Sequence, residues 1–321
     1  MKVLLTGIAG FIGMHCARRL LERGDEVAGV DNLSPYYAVQ LKKDRLAQLK
    51  HPKLRFTELD IADAAALQQV FAAEKPQAVL HLAAQPGVRY SLENPGAYIH
   101  TNLVGFANLL ECCRRQLPRH LVFASSSSVY GANTELPWSE SQSVDHPVSL
   151  YAATKKSNEL LAHAYSHLYG LPATGLRYFT VYGPWGRPDM SPMLFAQAIV
   201  QGKPIQVFNH GDMQRDFTYI DDIVEGTLRV LDSPAPPPSR YAIYNIGNHQ
   251  PVKLLDYIAA LERAFGRKAK LEMRPMQPGD VKTTYADTAA LRAAVGFAPS
   301  TTLETGLARF AEWFRDYYRT Q

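Results

Sequence analysis

The first thirteen residues constrain the fold of this chain more than any other stretch. Val3-Leu4-Leu5-Thr6 is a short apolar run with the length of a buried strand. Gly7, Gly10 and Gly13 follow it at G-x-x-G-x-x-G spacing and open an amphipathic stretch, residues 11–23, that Gly24 ends. A strand that turns through glycine directly into a helix begins a βαβ unit. The first glycine permits the tight turn, the second lets backbone approach a pyrophosphate, and the third lets the helix pack closely on the sheet. The amide groups at such a helix start are unpaired and lie in positive potential, which suits phosphate oxygens.

The pattern continues. Strands are expected at 26–30, 54–58, 78–81, 120–124 and 173–177, with helical stretches at 64–73, 95–115 and 150–169 between them. This alternation predicts an α/β fold, a Rossmann-type doubly wound parallel sheet with helices on both faces. After residue 180 the alternation lapses into a smaller α/β lobe. Four prolines at 234 and 236–238 mark a loop between a helix at 220–231 and a strand at 242–246, and an amphipathic helix at 305–318 closes the chain. The division expected is a dinucleotide-binding domain over 1–180, completed by parts of 215–250, and a ligand-binding lobe over 181–321.

Asp31 ends the second strand, 18 residues after Gly13. A carboxylate there accepts hydrogen bonds from a ribose 2′-hydroxyl and repels a 2′-phosphate, which favours NAD over NADP. It could instead cap the loop before Asn32. Asp60, after the third strand, suits either an adenine amino group or a helix cap beside Asp63.

Composition excludes other classes. Thirty-four Lys and Arg stand against 30 Asp and Glu, a net +4 without the clustered excess of a nucleic-acid binder. No apolar window reaches the length of a membrane span, and the apolar run after Met1-Lys2 is too short for a signal peptide. Three cysteines make no disulfide framework and fit a reducing cytoplasm.

The main reactive signal is Tyr151-Ala-Ala-Thr-Lys155. Positions i and i+4 share one helix face, and Ser149 suits the helix start. A neighbouring ammonium favours the phenolate, so the pair can take a proton from a sugar hydroxyl. Ser125-Ser126-Ser127-Ser128 follows the fifth strand, at the sheet end where ligands bind, and a hydroxyl there can share that proton. Two other features point away from chemistry. His163 and His167 have metal-ligand spacing but no third ligand, so no metal is expected. Cys112-Cys113 is not a C-x-x-C pair and belongs to a packed helix.

Together these motifs resemble the extended short-chain dehydrogenase/reductase family, the nucleotide-sugar epimerases and dehydratases. The resemblance runs nearly end to end. Besides the glycine turn and the Tyr151/Lys155 pair it includes His81-Leu82-Ala83-Ala84, residues 125–131, Arg177-Tyr178-Phe179-Thr180-Val181-Tyr182-Gly183-Pro184 and Arg215-Asp216-Phe217-Thr218-Tyr219-Ile220-Asp221-Asp222. Two segments resemble the branch that inverts C4 of UDP-glucuronate: Asn32-Leu33-Ser34-Pro35-Tyr36-Tyr37 with the basic helix running to Lys50, and Gly186-Arg187-Pro188-Asp189-Met190.

The resemblance implies NAD-dependent conversion of UDP-glucuronate to UDP-galacturonate through a transient 4-keto sugar, with Tyr151, Lys155 and Ser126 catalytic. It implies cofactor contacts from Gly7, Gly10, Phe11, Ile12, Gly13, Asp31, Asn32, Asp60, Ile61, Leu82, Ala83, Ala84, Asn102, Ser125, Tyr151, Lys155 and Tyr178. Substrate contacts are implied at Ser127, Ser128, Thr180, Arg187, Arg215 and Asp280. The related 4,6-dehydratases carry an Asp-Glu pair where this chain has Ser127 and Ser128, and the decarboxylases carry Glu at the Ser128 position. Related galactose epimerases have an arginine where this chain has Gln277.

A buried substrate carboxylate needs a counter-charge. Arg187 can offer it a planar fork, or can pair with Asp189 instead. Arg215 can likewise pair with Asp216. Other readings are a 4-epimerase for neutral UDP-hexoses (UDP-glucose or UDP-N-acetylglucosamine), a UDP-glucuronate decarboxylase, and an NAD-sensing protein without turnover. A homodimer is implied through the helices near 95–115 and 150–169, where Leu103, Leu110 and Leu160 suit either core or interface.

Overall fold

A computed structural model of the chain describes residues 1–276 and 281–319. The described residues form twelve strands: β1 (Lys2–Thr6), β2 (Glu26–Asp31), β3 (Leu54–Glu58), β4 (Ala78–His81), β5 (His120–Ser126), β6 (Ala173–Tyr178), β7 (Thr180–Tyr182), β8 (Pro204–Val207), β9 (Gln214–Tyr219), β10 (Tyr241–Ile246), β11 (Pro251–Lys253) and β12 (Lys270–Met273). Seven form one sheet in the order β10-β6-β5-β4-β1-β2-β3, with every neighbouring pair parallel.

The central strands read as unbroken apolar runs because helices cover both faces of a parallel sheet. All four residues of β4 are buried. The edge strand β3, by contrast, is largely exposed. Several helix starts carry a capping side chain. Asp63 accepts from the Ala66 amide at 3.0 Å, Ser149 from Ala152 at 3.2 Å and Thr302 from Thr305 at 3.2 Å. Gly170, left-handed at φ 68°, ends the helix Leu150–Tyr169.

The strand order reverses between β1 and β4, which opens a crevice beyond their carboxyl ends. Thr6 and His81, paired in register, hydrogen-bond at 2.7 Å, and the Ala83 amide donates to Thr6 Oγ1 at 3.2 Å. The loop after β4 is thereby tied to the end of β1.

The chain leaves this sheet after β6 and returns to it with β10. Between and after these strands it builds a three-stranded sheet, β11-β9-β7, and a parallel pair, β12-β8. One apolar cluster runs from Met14 and Leu20 through Ile220 and Ile223 to Phe217, Tyr257 and Phe310, so the two sheets share a core. A second cluster, with Leu67, Phe106, Leu110 and Phe123, covers the other face of the large sheet.

One element differs from its sequence pattern. The helical stretch expected over 95–115 is helix Pro95–Tyr98, a π-helical segment Ile99–Gly105, and helix Phe106–Arg115. Inside the π segment the Asn102 carbonyl accepts from Asn158 Nδ2 at 2.7 Å, so a helical carbonyl is spent on a neighbouring helix. Of the three leucines left open between core and interface, Leu110 is buried in the core, Leu103 is half-buried and Leu160 is exposed. No helix among the described residues is long and apolar enough to cross a membrane.

Candidate active site

A cavity of about 480 Å³ fills the crevice. The glycine turn forms one end. Gly7 adopts φ +77°, and a Cβ there would lie 2.6 Å from the Ala83 amide nitrogen. A Cβ at Gly10 would lie 2.9 Å from the Gly7 carbonyl oxygen, so the turn excludes side chains both against the loop after β4 and within itself. The helix Phe11–Glu22 starts from Gly10 with no side-chain cap, and Phe11, Ile12 and Gly13 face the cavity. A helix start with its amides uncovered suits a pyrophosphate.

Asp31 is buried at the cavity wall. Its Oδ2 accepts from the Ala9 amide at 3.0 Å and its Oδ1 from Leu33 at 2.9 Å. It therefore caps the following loop while also lining the cavity. Burial pushes its carboxyl up, against the Lys42 ammonium and the two amides. Lys42, from the helix Val39–Ala47, lines the same wall. It is a cavity residue that the sequence presents only as part of the basic helix running to Lys50. The uncapped helix start and the buried carboxylate on the second strand fit a dinucleotide with a free ribose 2′-hydroxyl.

The reactive end lies across the cavity. Ser149 starts the helix that carries Tyr151 and Lys155 on one face. Lys155 is buried, donates to the Ala124 carbonyl at 2.8 Å, and sits 6.0 Å from the Tyr151 ring centroid. Burial lowers its pKa to about 8, with Glu159 opposing. Ser126 Oγ accepts from Ser128 twice, from Oγ at 2.9 Å and from the amide at 3.2 Å. Its own hydrogen is thus left for the cavity that Tyr151 also lines. Burial raises the Tyr151 pKa, and the groups that oppose this are Arg187 and Ser126. The Lys155 ammonium is turned to the Ala124 carbonyl.

Arg187 takes the ion-pair reading while standing at the cavity wall. It pairs with Asp189 through Nε at 3.1 Å and Nη2 at 2.6 Å, and it lines the cavity. Burial works against its charge, but Asp189 outweighs burial and holds its pKa above the usual arginine value. Arg215 also lines the cavity and donates to the Gln214 and Lys282 carbonyls. The carboxylate of Asp216 is taken instead by the amides of Asn248, His249 and Ala286.

The remaining expected residues separate. Asn32, Ile61, Leu82, Ala84, Ser127, Thr180 and Tyr178 line the cavity, although the Tyr178 hydroxyl is bonded to Thr227 at 3.0 Å. Ser125 lines it too, but its hydroxyl donates to Glu159 at 2.6 Å. Asn102 does not line it. Its side chain accepts from the Gln85 amide and donates to the Gln85 carbonyl and to Thr154, which binds the loop after β4 to the Tyr151 helix. Asp60 also lies off the cavity, accepting from Asn32 Nδ2 and the Ala62 amide. Asp280 and Gln277 lie outside the described residues. Among those described, no group of three or more His, Cys, Asp or Glu could hold a metal ion.

A doubly wound parallel sheet, a glycine turn at its switch point and a Tyr-x-x-x-Lys helix across one cavity define a dinucleotide-dependent enzyme of the short-chain dehydrogenase/reductase type. The chain belongs to the NAD dependent epimerase/dehydratase family, whose model matches residues 3–247. It is 47% identical, over 99% of its length and 98% of the relative's, to a probable UDP-glucuronate 4-epimerase of Rhizobium meliloti. The crystal structure of UDP-glucuronic acid 4-epimerase from Bacillus cereus, in complex with UDP-glucuronic acid and NAD, superimposes with a TM-score of 0.91 at 34% identity, covering 99% of this chain and all of that one. UDP-glucose 4-epimerase from Thermotoga maritima, solved with UDP-glucose, gives 0.89 at 30%, with the same coverage. The fold therefore does not separate uronate from neutral substrates; the side chains in the cavity must.

Proposed function

We propose that this chain is an NAD-dependent UDP-glucuronate 4-epimerase that interconverts UDP-glucuronate and UDP-galacturonate through a transient 4-keto sugar. The observation that carries the reading is the presence of Arg187 in one cavity with Tyr151 and Ser126, beside serines at 127 and 128. Relatives named as UDP-glucuronate 4-epimerases support it.

NAD, when bound, supplies the reversible hydride acceptor at C4. Gly7, Gly10, Phe11, Ile12 and Gly13 would hold its pyrophosphate, and Asp31 with Lys42 its adenine ribose. Tyr151 Oη takes the proton from the substrate's 4-hydroxyl and later returns one to the 4-oxygen. Ser126, polarised by Ser128, donates its hydrogen to that oxygen or to Tyr151. Lys155 keeps a positive charge beneath the phenol. Arg187 faces the sugar carboxylate, with Thr180 and Ser127 as neutral donors, and Arg215 faces the diphosphate. Water elimination needs a general acid and base next to Ser126; Ser127 and Ser128 cannot serve as such. The 4-keto uronate is a β-keto acid, and a carboxylate held by Arg187 is kept from the orientation that favours loss of CO₂.

The reading assigns residues 1–180, with the returning part of 215–250, to the cofactor and 181–321 to the UDP-sugar. It also includes a cytoplasmic homodimer. Exposed Ile99, Val104, Leu160 and Leu168 support the interface, and the buried free thiols of Cys16, Cys112 and Cys113 support a reducing compartment.

The test is incubation of the holoenzyme with UDP-glucuronate, followed by NMR and trapping of released CO₂. UDP-galacturonate without CO₂ is the expected product, and absence of the C4 epimer overturns the assignment. Arg187→Ala should abolish preference for the uronate over UDP-glucose.

A further inference from the structure

The connection from β2 to β3 carries more than a crossover needs. It includes Tyr36, Tyr37 and the helix Val39–Ala47, on which Arg45 is fully buried. A buried guanidinium is costly unless its donors are satisfied, and here all five are used on uncharged oxygens. Nη1 donates to the Ala9 carbonyl at 3.1 Å and to Tyr37 Oη at 2.6 Å. Nε and Nη2 donate to the Trp185 carbonyl at 3.1 and 2.7 Å, and Nη2 also to Gly186 at 3.1 Å. One side chain thus spans the glycine turn and the two residues that precede Arg187.

Trp185 makes that grip informative. It adopts φ +65°, a conformation that bulky side chains avoid and that persists only where surroundings impose it. Arg45 holds its carbonyl. Trp313 and Tyr317, on the helix Leu303–Tyr318, hold its ring at centroid distances of 5.4 and 4.9 Å. On the other side of Arg187, Tyr36 Oη donates to Asp189 Oδ2 at 3.0 Å, the oxygen that also pairs with Arg187 Nη2. Asp189 uses Nε and Nη2 of Arg187, and among the described residues Nη1 has no hydrogen-bond partner.

We infer that Arg45 and Tyr36 are positioning residues for Arg187, and that the 32–47 connection is the element that sets recognition of an acidic sugar. The inference rests on the uronate reading of the site. Arg45 fixes the backbone leading into Arg187 relative to the glycine turn. Tyr36 fixes the aspartate that orients the guanidinium and leaves Nη1 for the ligand. Arg45 does not line the cavity and Tyr36 reaches Arg187 through Asp189, so the effect expected of both is on the sugar that Arg187 faces.

The test uses NAD-loaded wild type, Tyr36→Phe, Arg45→Lys and Arg45→Met, with binding of UDP-glucuronate and of UDP measured by calorimetry. Loss of a hydrogen bond to a charged group predicts about a tenfold drop in UDP-glucuronate affinity, with UDP affinity kept within about twofold. KM for the uronate should rise more than kcat falls. Lysine should not rescue Arg45, since one ammonium cannot replace the fork. Equal losses for UDP and UDP-glucuronate, or no loss in either Tyr36→Phe or Arg45→Lys, overturn the inference. If Arg45→Met does not fold, the two milder variants decide. A wild-type enzyme that fails to epimerise UDP-glucuronate overturns the reading of the site itself, whereas an active wild type with unselective variants overturns only the role of Tyr36 and Arg45.

Discussion

Burial pushes Tyr151 toward its neutral form, and the groups that draw it back are Arg187 and Ser126. A base in that setting depends on nearby positive charge. Lys155 provides some, but its own pKa is lowered by burial to about 8, so its charge disappears as pH rises through about 8 instead of near the ordinary lysine value of 10.5. The expected outcome is a kcat/KM for UDP-glucuronate that declines above about pH 8, with Lys155→Met slower and without that decline. A wild-type profile level up to pH 10 would exclude Lys155 as a charge donor. Tyr151→Phe should retain NAD and lose about 10²–10⁴-fold in kcat, measured by NMR of the product. These two residues were legible in the sequence because their geometry is local: i and i+4 on a helix share a face. The side-chain partners of Asn102 and Ser125 could not be read from spacing because they lie far away in the chain. Gln85 and Thr154 consume one, and Glu159 the hydroxyl of the other. Nothing in the spacing indicates that Tyr36 meets Asp189 or that Arg45 reaches Trp185 and Gly186.

The elements themselves were more legible than the contacts between them. Hydrophobic period and capping residues located β1 through β6 and the helix Leu150–Tyr169. The π segment at Ile99–Gly105 escaped because the bond made inside it, from Asn158 to the Asn102 carbonyl, comes from another helix. A similar long-range link joins the Tyr151 helix to the sheet. Arg177 on β6 pairs with Glu159 at 2.8 and 2.9 Å, and donates to Tyr130, which in turn donates to Asn245 on β10. Removing one member of a buried ion pair leaves the other uncompensated. Arg177→Met is therefore expected to cost about 3–5 kcal/mol of stability, read from the denaturant midpoint. A change below about 1 kcal/mol would show that the network is dispensable. Loss of NAD affinity beyond what global unfolding explains would show that it also sets the position of Lys155.

At the scale of the whole molecule, three buried histidines set an acid limit. Burial holds His15 and His81 at about 3 and His120 at about 4, so each remains neutral in the fold. In the unfolded chain each takes up a proton near 6.5. Between 6.5 and 3–4 the unfolded state binds more protons, so stability is lost as pH falls through that window, by up to about 1.4 kcal/mol per pH unit for each group. Thermal denaturation should show Tm falling below pH 6.5, and His120→Asn should flatten the slope. An unchanged Tm down to pH 4 would contradict the neutral assignment.

The return of the chain to the large sheet has a consequence for its synthesis. Until residues 241–246 emerge from the ribosome, β6 is an open edge with its backbone donors and acceptors unpaired, a template for unwanted strand addition. The cofactor half cannot mature first and wait for its companion; some sixty residues must pass before its last seam closes.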